Sequence, residues 1–353
     1  MRMSAELRFI VDCCRWNFRG SEPAQLVQLP DGLDWPALDR LAHFHRVHGL
    51  VWNALEPLAP HLPDALAEGL ATDARTLLAT NLQTALECHR LLGAFQAGGI
   101  PLLFVKGLTV AALAYRAPLM KAAWDVDILV PPRQLAETAT LLKAQGYRIV
   151  TPTSDEKLVR WHKAHKDSLW RRSDPDIHLE LHPRLVDNPS ILSSVGIASP
   201  VQEVQVAAGV VLPTLAPDEL FAYLCVHGAS SAWFRLKWIA DLAGLLHGMS
   251  PSRIEALYAR SQVLGASRAA GQALLLCDHL FGTLEGCVLR ESLGQDRGVA
   301  RLASAASKQI AAGTEPTARR FGTWRIHWTQ LLLKPGLRFK AGELARQVRE
   351  GLG

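Results

Sequence analysis

The sequence predicts an α+β protein in which a small central sheet is flanked by helical regions on both sides. Three observations predict this class. Apolar residues recur at helical spacing through residues 1–97, predicted strands alternate with helices in residues 98–215, and helical spacing returns in residues 216–313. A basic tail, residues 314–353, completes the four predicted regions, and 353 residues are enough to give the larger ones proper cores.

The amino-terminal region is predicted to be helical because its apolar residues repeat every three or four positions. The pattern is clearest over residues 35–55 and 62–95. Ala97-Gly98-Gly99 is a strong helix stop, since glycine readily adopts the backbone conformation that ends a helix. We therefore expect the central sheet to begin directly after Gly99.

The central region alternates between short apolar runs, typical of buried strands, and helical patterns. The predicted strands and helices are, in order, strand 100–105, helix 108–115, the strand that holds Asp125 and Asp127, helix 133–145, strand 147–150, strand 167–171, strand 176–182 and a hairpin over 201–212. Beyond Pro217, which suits a first helical turn, the spacing predicts helices again, the first ending at His227-Gly228.

The composition excludes several classes of protein. It is 49% hydrophobic and 20% charged, which argues against long disorder. No run reaches the 18 or so apolar residues of a transmembrane helix, and the charged amino end does not read as a signal peptide. The six cysteines show no C-x-x-C spacing, so we expect reduced, buried cysteines in a cytoplasmic protein.

The basic tail carries the whole net charge of +5, with eight Lys and Arg residues against three Glu from Thr314 onward. Residues 1–313 have no net charge. This argues against a long nucleic acid as ligand, because contacts with its phosphates need a continuous basic surface. Trp324, Trp328 and the Leu331–Leu333 run lie between the basic residues. This pattern fits either a segment that contacts a partner or a membrane surface, or a helix packed on the body.

Two carboxylates near the start of one predicted strand are the first candidate functional residues. Asp125 and Asp127 are two apart, so on a strand their side chains project to the same face. Such a pair repels unless a positive charge lies between them, and a hard divalent cation such as Mg²⁺ prefers carboxylate oxygens. The D-x-D pattern alone is common, and a solvated pair of aspartates explains it equally well.

The strand at 176–182 alternates polar and apolar residues with period two. Asp176, His178, Glu180 and His182 share one face, and the residues between them are aliphatic. One fully ionisable face is unusual for a strand that serves only as scaffold. Glu180 adds a third carboxylate to Asp125 and Asp127, which completes a usual ligand set for two cations that assist an in-line phosphoryl displacement.

These residues resemble the polymerase-β-type nucleotidyltransferase superfamily. The resemblance rests on Lys106-Gly107, on Asp125-Val-Asp127-Ile-Leu-Val and on Glu180-Leu-His-Pro-Arg184-Leu. More narrowly, the chain resembles a poorly characterised bacterial nucleotidyltransferase-like family with an amino-terminal helical region, whose pattern also covers His227-Gly228 and Arg235-Leu-Lys-Trp-Ile-Ala-Asp241. The resemblance spans about residues 35–250.

The resemblance implies a polymerase-β-like sheet and a set of site residues. Asp125, Asp127 and Glu180 would be the catalytic residues and the ligands of Mg²⁺ or Mn²⁺, and Glu180 would alternatively act as general base. The nucleotide-binding residues would be Lys106, Gly107, Lys121, His182, Arg184 and Lys237. For His182 a local hydrogen-bonding role, and for Lys237 an i,i+4 ion pair with Asp241, are the alternatives.

The sequence departs from the superfamily pattern at two positions. Gly107 is followed by Leu108, where the superfamily usually has Gly or Ser, and is preceded by Lys106, whose charge would offset that of the phosphates. Lys121 stands where relatives often carry Arg; it keeps the charge but loses the bidentate fork. Because of the first departure, a protein that keeps this fold but has lost catalytic turnover is an alternative.

The implied activity is transfer of a nucleoside monophosphate from an NTP to an unidentified acceptor, with release of pyrophosphate. A peptide, a protein, a small molecule and an RNA end all remain open as acceptors. The alternative is a catalytically weakened nucleotide-binding or regulatory protein of the same fold. A kinase is disfavoured because no G-x-x-x-x-G-K-[ST] sequence is present, and a zinc hydrolase using His162 and His165 because no H-E-x-x-H occurs.

Overall fold

The computed structural model describes residues 3–20, 27–315 and 323–351. Its α-helices are α1 (Ala5–Trp16), α2 (Trp35–Phe44), α3 (His48–Leu55), α4 (Asp64–Ala97), α5 (Leu108–Ala114), α6 (Leu135–Ala144), α7 (Leu158–Ala164), α8 (Pro217–Ser230), α9 (Leu236–Leu246), α10 (Pro251–Val263), α11 (Ser267–Phe281), α12 (Leu289–Gln295), α13 (Arg297–Ala312), α14 (Trp324–Gln330) and α15 (Leu337–Gly351). Its strands are β1 (Leu103–Phe104), β2 (Val126–Leu129), β3 (Arg148–Thr151), β4 (Ser168–Ser173), β5 (Asp176–His182), β6 (Val201–Ala207) and β7 (Val210–Leu215). The α+β class predicted from the sequence is confirmed.

The central sheet has five strands in the order β1-β2-β5-β4-β3. Strands β2 and β5 are parallel, whereas the other neighbouring pairs are antiparallel. The β2–β5 register places Asp127 directly opposite Glu180. Strand β1 is much shorter than the predicted 100–105, and the hairpin of β6 and β7 forms a separate two-stranded sheet.

Two helix boundaries differ from those the sequence predicts. The predicted helical run 35–55 divides into α2 and α3, because Arg46 between them adopts a left-handed backbone with φ 56°. Helix α8 continues to Ser230 and does not end at His227-Gly228. Gly228 is a packing position, since a Cβ there would lie 2.1 Å from the Trp233 ring. Helix α7 was not predicted.

The buried apolar residues form two clusters. One joins the amino-terminal helices α1, α2 and α3 to the carboxyl-terminal helices α8, α9, α11 and α13. The other joins the sheet to the second half of α4, to α6 and to the β6–β7 hairpin. Helices from both ends of the chain therefore share one core.

The segment between α5 and β2 is held in place by two residues of the amino-terminal helices. The amide of Asn81 on α4 donates hydrogen bonds to the carbonyls of Leu119 and Lys121, at 2.7 and 2.8 Å. Gly49 on α3 lies so close to Met120 that a Cβ would come 2.2 Å from its carbonyl oxygen. These contacts fix the chain just before the D-x-D residues.

The described part of the basic tail packs on the body, as one of the two sequence interpretations predicted. Gln330 on α14 donates to the carbonyl of Ser230, at 2.8 Å. The buried Glu343 on α15 accepts a hydrogen bond from Asn188, at 2.6 Å. Arg319 and Arg320 lie outside the described residues. Contact of the exposed Trp324 and Trp328 with a partner or membrane stays a prediction.

The six cysteines are free and buried, as predicted. None of the helices in the described ranges has the length and apolar character that crossing a membrane requires.

Candidate functional site

Asp127, Glu180 and His182 converge on one face of the central sheet. Because β2 and β5 run parallel with Asp127 opposite Glu180, the two carboxylates project side by side. His182 Nε2 lies 3.0 Å from Asp127 Oδ1 and 3.4 Å from Glu180 Oε2. One ligand atom from each of the three residues lies within 4.8 Å of the others, which is close enough for one metal ion. Asp127 is buried and Glu180 is partly exposed.

Lys106, just beyond β1, reaches the same carboxylates. Its Nζ lies 2.7 Å from Asp127 Oδ1 and 3.7 Å from Glu180 Oε2. Burial lowers the pKa of Lys106, but the negative charge of Asp127 outweighs burial, so that pKa lies well above its usual value. Burial likewise raises the pKa of Asp127, and Lys106 with His182 brings it below its ordinary value. Both groups are therefore charged near neutral pH.

His182 is fully buried, and its two carboxylate neighbours determine the direction in which its pKa is shifted. Burial lowers its pKa, but the hydrogen bonds to Asp127 and Glu180 outweigh burial and raise the pKa above its ordinary value. Its second ring nitrogen, Nδ1, has no hydrogen-bond partner among the described residues. The alternative of a locally bonded histidine describes these contacts, with Asp127 and Glu180 as the partners, and nucleotide binding by His182 stays a prediction.

A cavity of about 210 Å³ opens beside this cluster, between the sheet, helices α8 and α9, and the α2–α3 connection. We call it the cationic cavity, because its lining includes five basic residues, namely Arg46, Lys106, Lys121, Lys166 and Lys237. Asp125, Asp127 and Glu180 line it as well. The cavity therefore places cations and carboxylates together, the charge pattern needed for a metal-bound polyphosphate.

Lys121 forms a buried ion pair with Asp241. The distance between Lys121 Nζ and Asp241 Oδ2 is 2.9 Å, and the Tyr115 hydroxyl donates to Asp241 Oδ1, also at 2.9 Å. The sequence alternative that paired Asp241 with Lys237 along helix α9 is wrong, since the tertiary structure brings Lys121 and Tyr115 to this carboxylate. Asp241 therefore holds one cation of the cavity in place.

Lys237 is the lysine of the cavity lining that has no carboxylate within ion-pair distance in the described part of the chain. Lys106, Lys121 and Lys166 are paired, the last with Asp167. Burial and the nearby Lys121 charge lower the pKa of Lys237 to about 8. Lys237 thus presents a charge that an anionic ligand would stabilise.

Asp125 and Gly107 lie at the mouth of the same cavity. Asp125 is half-buried and lies directly before the first residue of β2, so it is not part of the strand. It lies outside the three-residue cluster of Asp127, Glu180 and His182. Gly107 adopts φ 69° and ψ −119° at the start of α5, a conformation open to glycine and strained for other residues. The structure thus brings both predicted residues to the cavity.

Leu108, the residue at which the sequence departs from the superfamily pattern, does not line the cationic cavity. Its side chain is buried in the apolar cluster between the sheet and α4. The departure at Leu108 therefore adds a side chain to the core and none to the cationic cavity.

Arg184 is the predicted nucleotide-binding residue that the structure places elsewhere. Its guanidinium donates to the carbonyl oxygens of His162, Ala164 and Val186. These contacts tie the end of α7 to the chain after β5, and Arg184 is not part of the cavity lining. A role in nucleotide binding stays a prediction, and the observed contacts are structural.

Sequence reasoning missed two cations of the cavity, Arg46 and Lys166. Arg46 lies in the connection between α2 and α3, where it adopts a left-handed backbone, and it lines the cavity. Lys166 lies between α7 and β4 and pairs with Asp167. No spacing pattern links either residue to the D-x-D motif, so only the fold brings them together.

Adjacent carboxylates on a mixed sheet, beside a lysine-lined cavity, suit the handling of a metal-bound phosphate, and the family match gives the class of the protein as nucleotidyltransferase. The chain belongs to the family described as uncharacterised nucleotidyltransferase, which matches residues 31–282. This match confirms the resemblance found in the sequence and includes every residue of the cavity lining. A comparison with curated proteins gave no match.

Proposed function

We propose that the protein transfers a nucleoside monophosphate from an NTP to an acceptor, with Mg²⁺ or Mn²⁺ as cofactor and pyrophosphate as leaving group. The observation that carries the proposal is the placement of Asp127 and Glu180, side by side in register, next to the cationic cavity. This arrangement supports metal-bound phosphates because the carboxylates suit the metal and the lysines suit the phosphates.

The residues present fit a divalent ion. Asp127, Glu180 and His182 offer ligand atoms within 4.8 Å of one another, and Asp125 lines the same cavity. Carboxylate oxygens are the ligands that Mg²⁺ and Mn²⁺ prefer. Asp125, Asp127 and Glu180 would hold the metal. When bound, it would neutralise phosphate charge and polarise the phosphorus that is attacked.

The basic residues of the cationic cavity would bind the triphosphate. Lys121 is held by Asp241, so it is positioned before the ligand arrives, whereas Lys237 carries a charge that phosphate oxygens would satisfy. Arg46 and Lys166 add two more cations to the same lining. Together they would stabilise the negative charge that accumulates on the leaving pyrophosphate.

As the alternative to holding the metal, Glu180 would take the acceptor's proton. It is the more exposed carboxylate of the cluster, with 28% of its side chain accessible against 2% for Asp127. An acceptor hydroxyl or amine would lose its proton to Glu180 and form a bond to the α-phosphorus, while the bond from that phosphorus to the bridging oxygen of pyrophosphate breaks. His182, bonded to both carboxylates, would keep them oriented.

The proposal is tested by measuring NTP binding and turnover separately. Each of the four radiolabelled NTPs is incubated with Mg²⁺, the protein and a cell lysate, and label transfer and pyrophosphate release are followed. We expect Mg²⁺-dependent transfer with the wild type and none with Asp127→Asn, whereas Asp64→Asn, an exposed carboxylate at the start of α4, retains full transfer.

Two outcomes count against transfer. Binding of Mg²⁺ and NTP without any product would favour the weakened or regulatory alternative of the same fold. Failure of every NTP to bind, with or without Mg²⁺ or Mn²⁺, would exclude the proposed function.

A further inference from the structure

A second cavity adjoins the cationic cavity at Ala123 and Asp125, which line both. It measures about 350 Å³ and lies between helix α4 and the first residues of β2 and β5. We call it the α4 pocket. A volume of this size falls in the range of small-molecule sites. The two cavities meet at a residue predicted to bind the metal.

The α4 pocket differs from the cationic cavity in charge. No lysine or arginine belongs to its described lining, which combines threonine hydroxyls, aliphatic side chains, a tryptophan, a histidine and two aspartates. One of these aspartates, Asp176, is engaged by Arg171 at 2.8 and 3.0 Å. Phosphate groups therefore have no cation to pair with here, whereas an uncharged, planar group does find suitable partners.

Trp124 provides a flat apolar surface in this pocket. The residue is 62% exposed, so its ring is accessible to a ligand in the pocket. The guanidinium of Arg46 lies 5.4 Å from the centre of its ring, so a residue of the cationic cavity fixes the ring from that side. Trp124 therefore stands at the boundary of the two cavities, and much of its surface stays accessible.

The wall formed by α4 offers hydrogen-bonding groups. Thr76, Thr80 and Thr84 are four residues apart on one helix face, and all three line the pocket. The hydroxyls of Thr76 and Thr84 donate to backbone carbonyls, which leaves their oxygens free to accept. The ring of His178 lies on the strand side. Such a mixture of a stacking surface and neutral polar groups suits a nucleobase.

We propose that the α4 pocket holds the base of the nucleotide, stacked on Trp124, while the triphosphate occupies the cationic cavity. This inference rests on the proposed function. The nucleoside is attached to the α-phosphate, which Asp125 would hold through the metal. Asp125 also lines a cavity of about 10 Å³, which is too small for a base, whereas the α4 pocket, at about 350 Å³, shares Asp125 and has room for one. One NTP would then span both cavities, with its uncharged base in the α4 pocket, whose described lining has no lysine or arginine.

Comparing an NTP with inorganic tripolyphosphate tests the inference, because the second ligand has no base. Binding of Mg·ATP and of Mg·tripolyphosphate is measured by calorimetry for the wild type, Trp124→Leu and Trp124→Phe. We expect Trp124→Leu to weaken ATP binding about tenfold or more and to leave tripolyphosphate binding unchanged. Trp124→Phe, which keeps an aromatic face, should recover most of the loss.

Trp328→Leu is the matched control, since Trp328 is also exposed but lies on α14. It should change neither affinity. Thermal unfolding of each variant verifies that the exposed substitutions leave the fold intact. ATP binding that is insensitive to Trp124→Leu, or an equal loss for ATP and tripolyphosphate, would overturn the base-binding role alone. Where another NTP binds more tightly than ATP, that NTP takes the place of ATP in these measurements. Absence of binding of all four NTPs by the wild type would overturn the proposed function, and this inference with it.

Discussion

The ammonium of Lys106 lies 2.7 Å from Asp127 Oδ1 and 3.7 Å from Glu180 Oε2, between the two carboxylates that would hold a metal ion. This contact offsets the repulsion between the neighbouring carboxylates of Asp127 and Glu180. It also means that a divalent ion on these carboxylates would compete with Lys106. The triphosphate would then offer the lysine a new partner.

We expect Lys106→Met to bind Mn²⁺ about tenfold more tightly than the wild type when no nucleotide is present. A charged hydrogen bond of this kind contributes about 1.5–3 kcal/mol, and its removal frees the carboxylates for the ion. Electron paramagnetic resonance of free Mn²⁺ measures the affinity. Lys166→Met, which removes a lysine paired with Asp167 in the same cavity, is the control and should have little effect. Unchanged affinity in Lys106→Met would show that Lys106 does not compete with the metal.

The pH dependence of phosphate binding should depend on Lys237. Its pKa of about 8 means that the free protein carries this charge below pH 8 and loses it as the pH rises further. Affinity for Mg·tripolyphosphate should therefore fall between pH 7 and 9 in the wild type. In Lys237→Met the affinity should be lower at pH 7 and nearly flat over this range.

The control for that measurement is Lys163→Met, a change at an exposed lysine of α7. It should retain the wild-type pH profile. A profile that is identical in Lys237→Met and the wild type would assign the titration to another group.

Asp241→Ala should destabilise the fold by about 3 kcal/mol or more in urea denaturation. The substitution leaves the buried ammonium of Lys121 unpaired and removes the acceptor of the Tyr115 hydroxyl. The double variant Lys121→Met/Asp241→Leu, which removes both charges, should recover much of this free energy of unfolding. If the single and double variants are equally unstable, packing and not charge pairing is the main contribution of Asp241.

Gly228→Ala should lower the free energy of unfolding by about 2 kcal/mol, because a Cβ at this position would overlap the ring of the buried Trp233. Gly93→Ala on α4 is the matched control. Its Cβ would meet no atom within 4 Å, so alanine's better helix propensity should raise stability by up to about 1 kcal/mol. Equal effects of the two changes on the midpoint of thermal unfolding would contradict the packing role of Gly228.

Much of the fold was predictable because its elements carry strong local patterns. Helix α4 ends at Ala97, before the Gly98-Gly99 stop, and β5 occupies the same residues as the predicted period-two strand. Boundaries failed at two positions. Helix α8 extends past Gly228, a glycine that packs against the nearby Trp233 ring, and the run 35–55 divides at Arg46, which adopts a left-handed backbone. A glycine that packs inside a helix and a non-glycine residue with a positive φ both go against the usual sequence rules for helix ends.

The candidate site was partly predictable for a similar reason. Asp127, Glu180, His182 and Lys106 follow from strand periodicity and a recognisable motif, and the structure brings them within contact distance. Arg184 shares the motif but binds backbone carbonyls at the end of α7. A motif identifies residues that are close in the chain, whereas the direction of each side chain depends on the neighbouring elements.

The sequence by itself determined the α+β class, the nucleotidyltransferase family and the carboxylates of the site, because periodicity and short motifs are properties of neighbouring residues. Only the tertiary structure decided which cations surround those carboxylates. Arg46, in the connection between α2 and α3, and Lys237, on α9, lie far apart in the chain, and they line one cavity. Their proximity results from the apolar core that the amino- and carboxyl-terminal helices share, and hydrophobic packing of this kind leaves no trace in the spacing of charged residues.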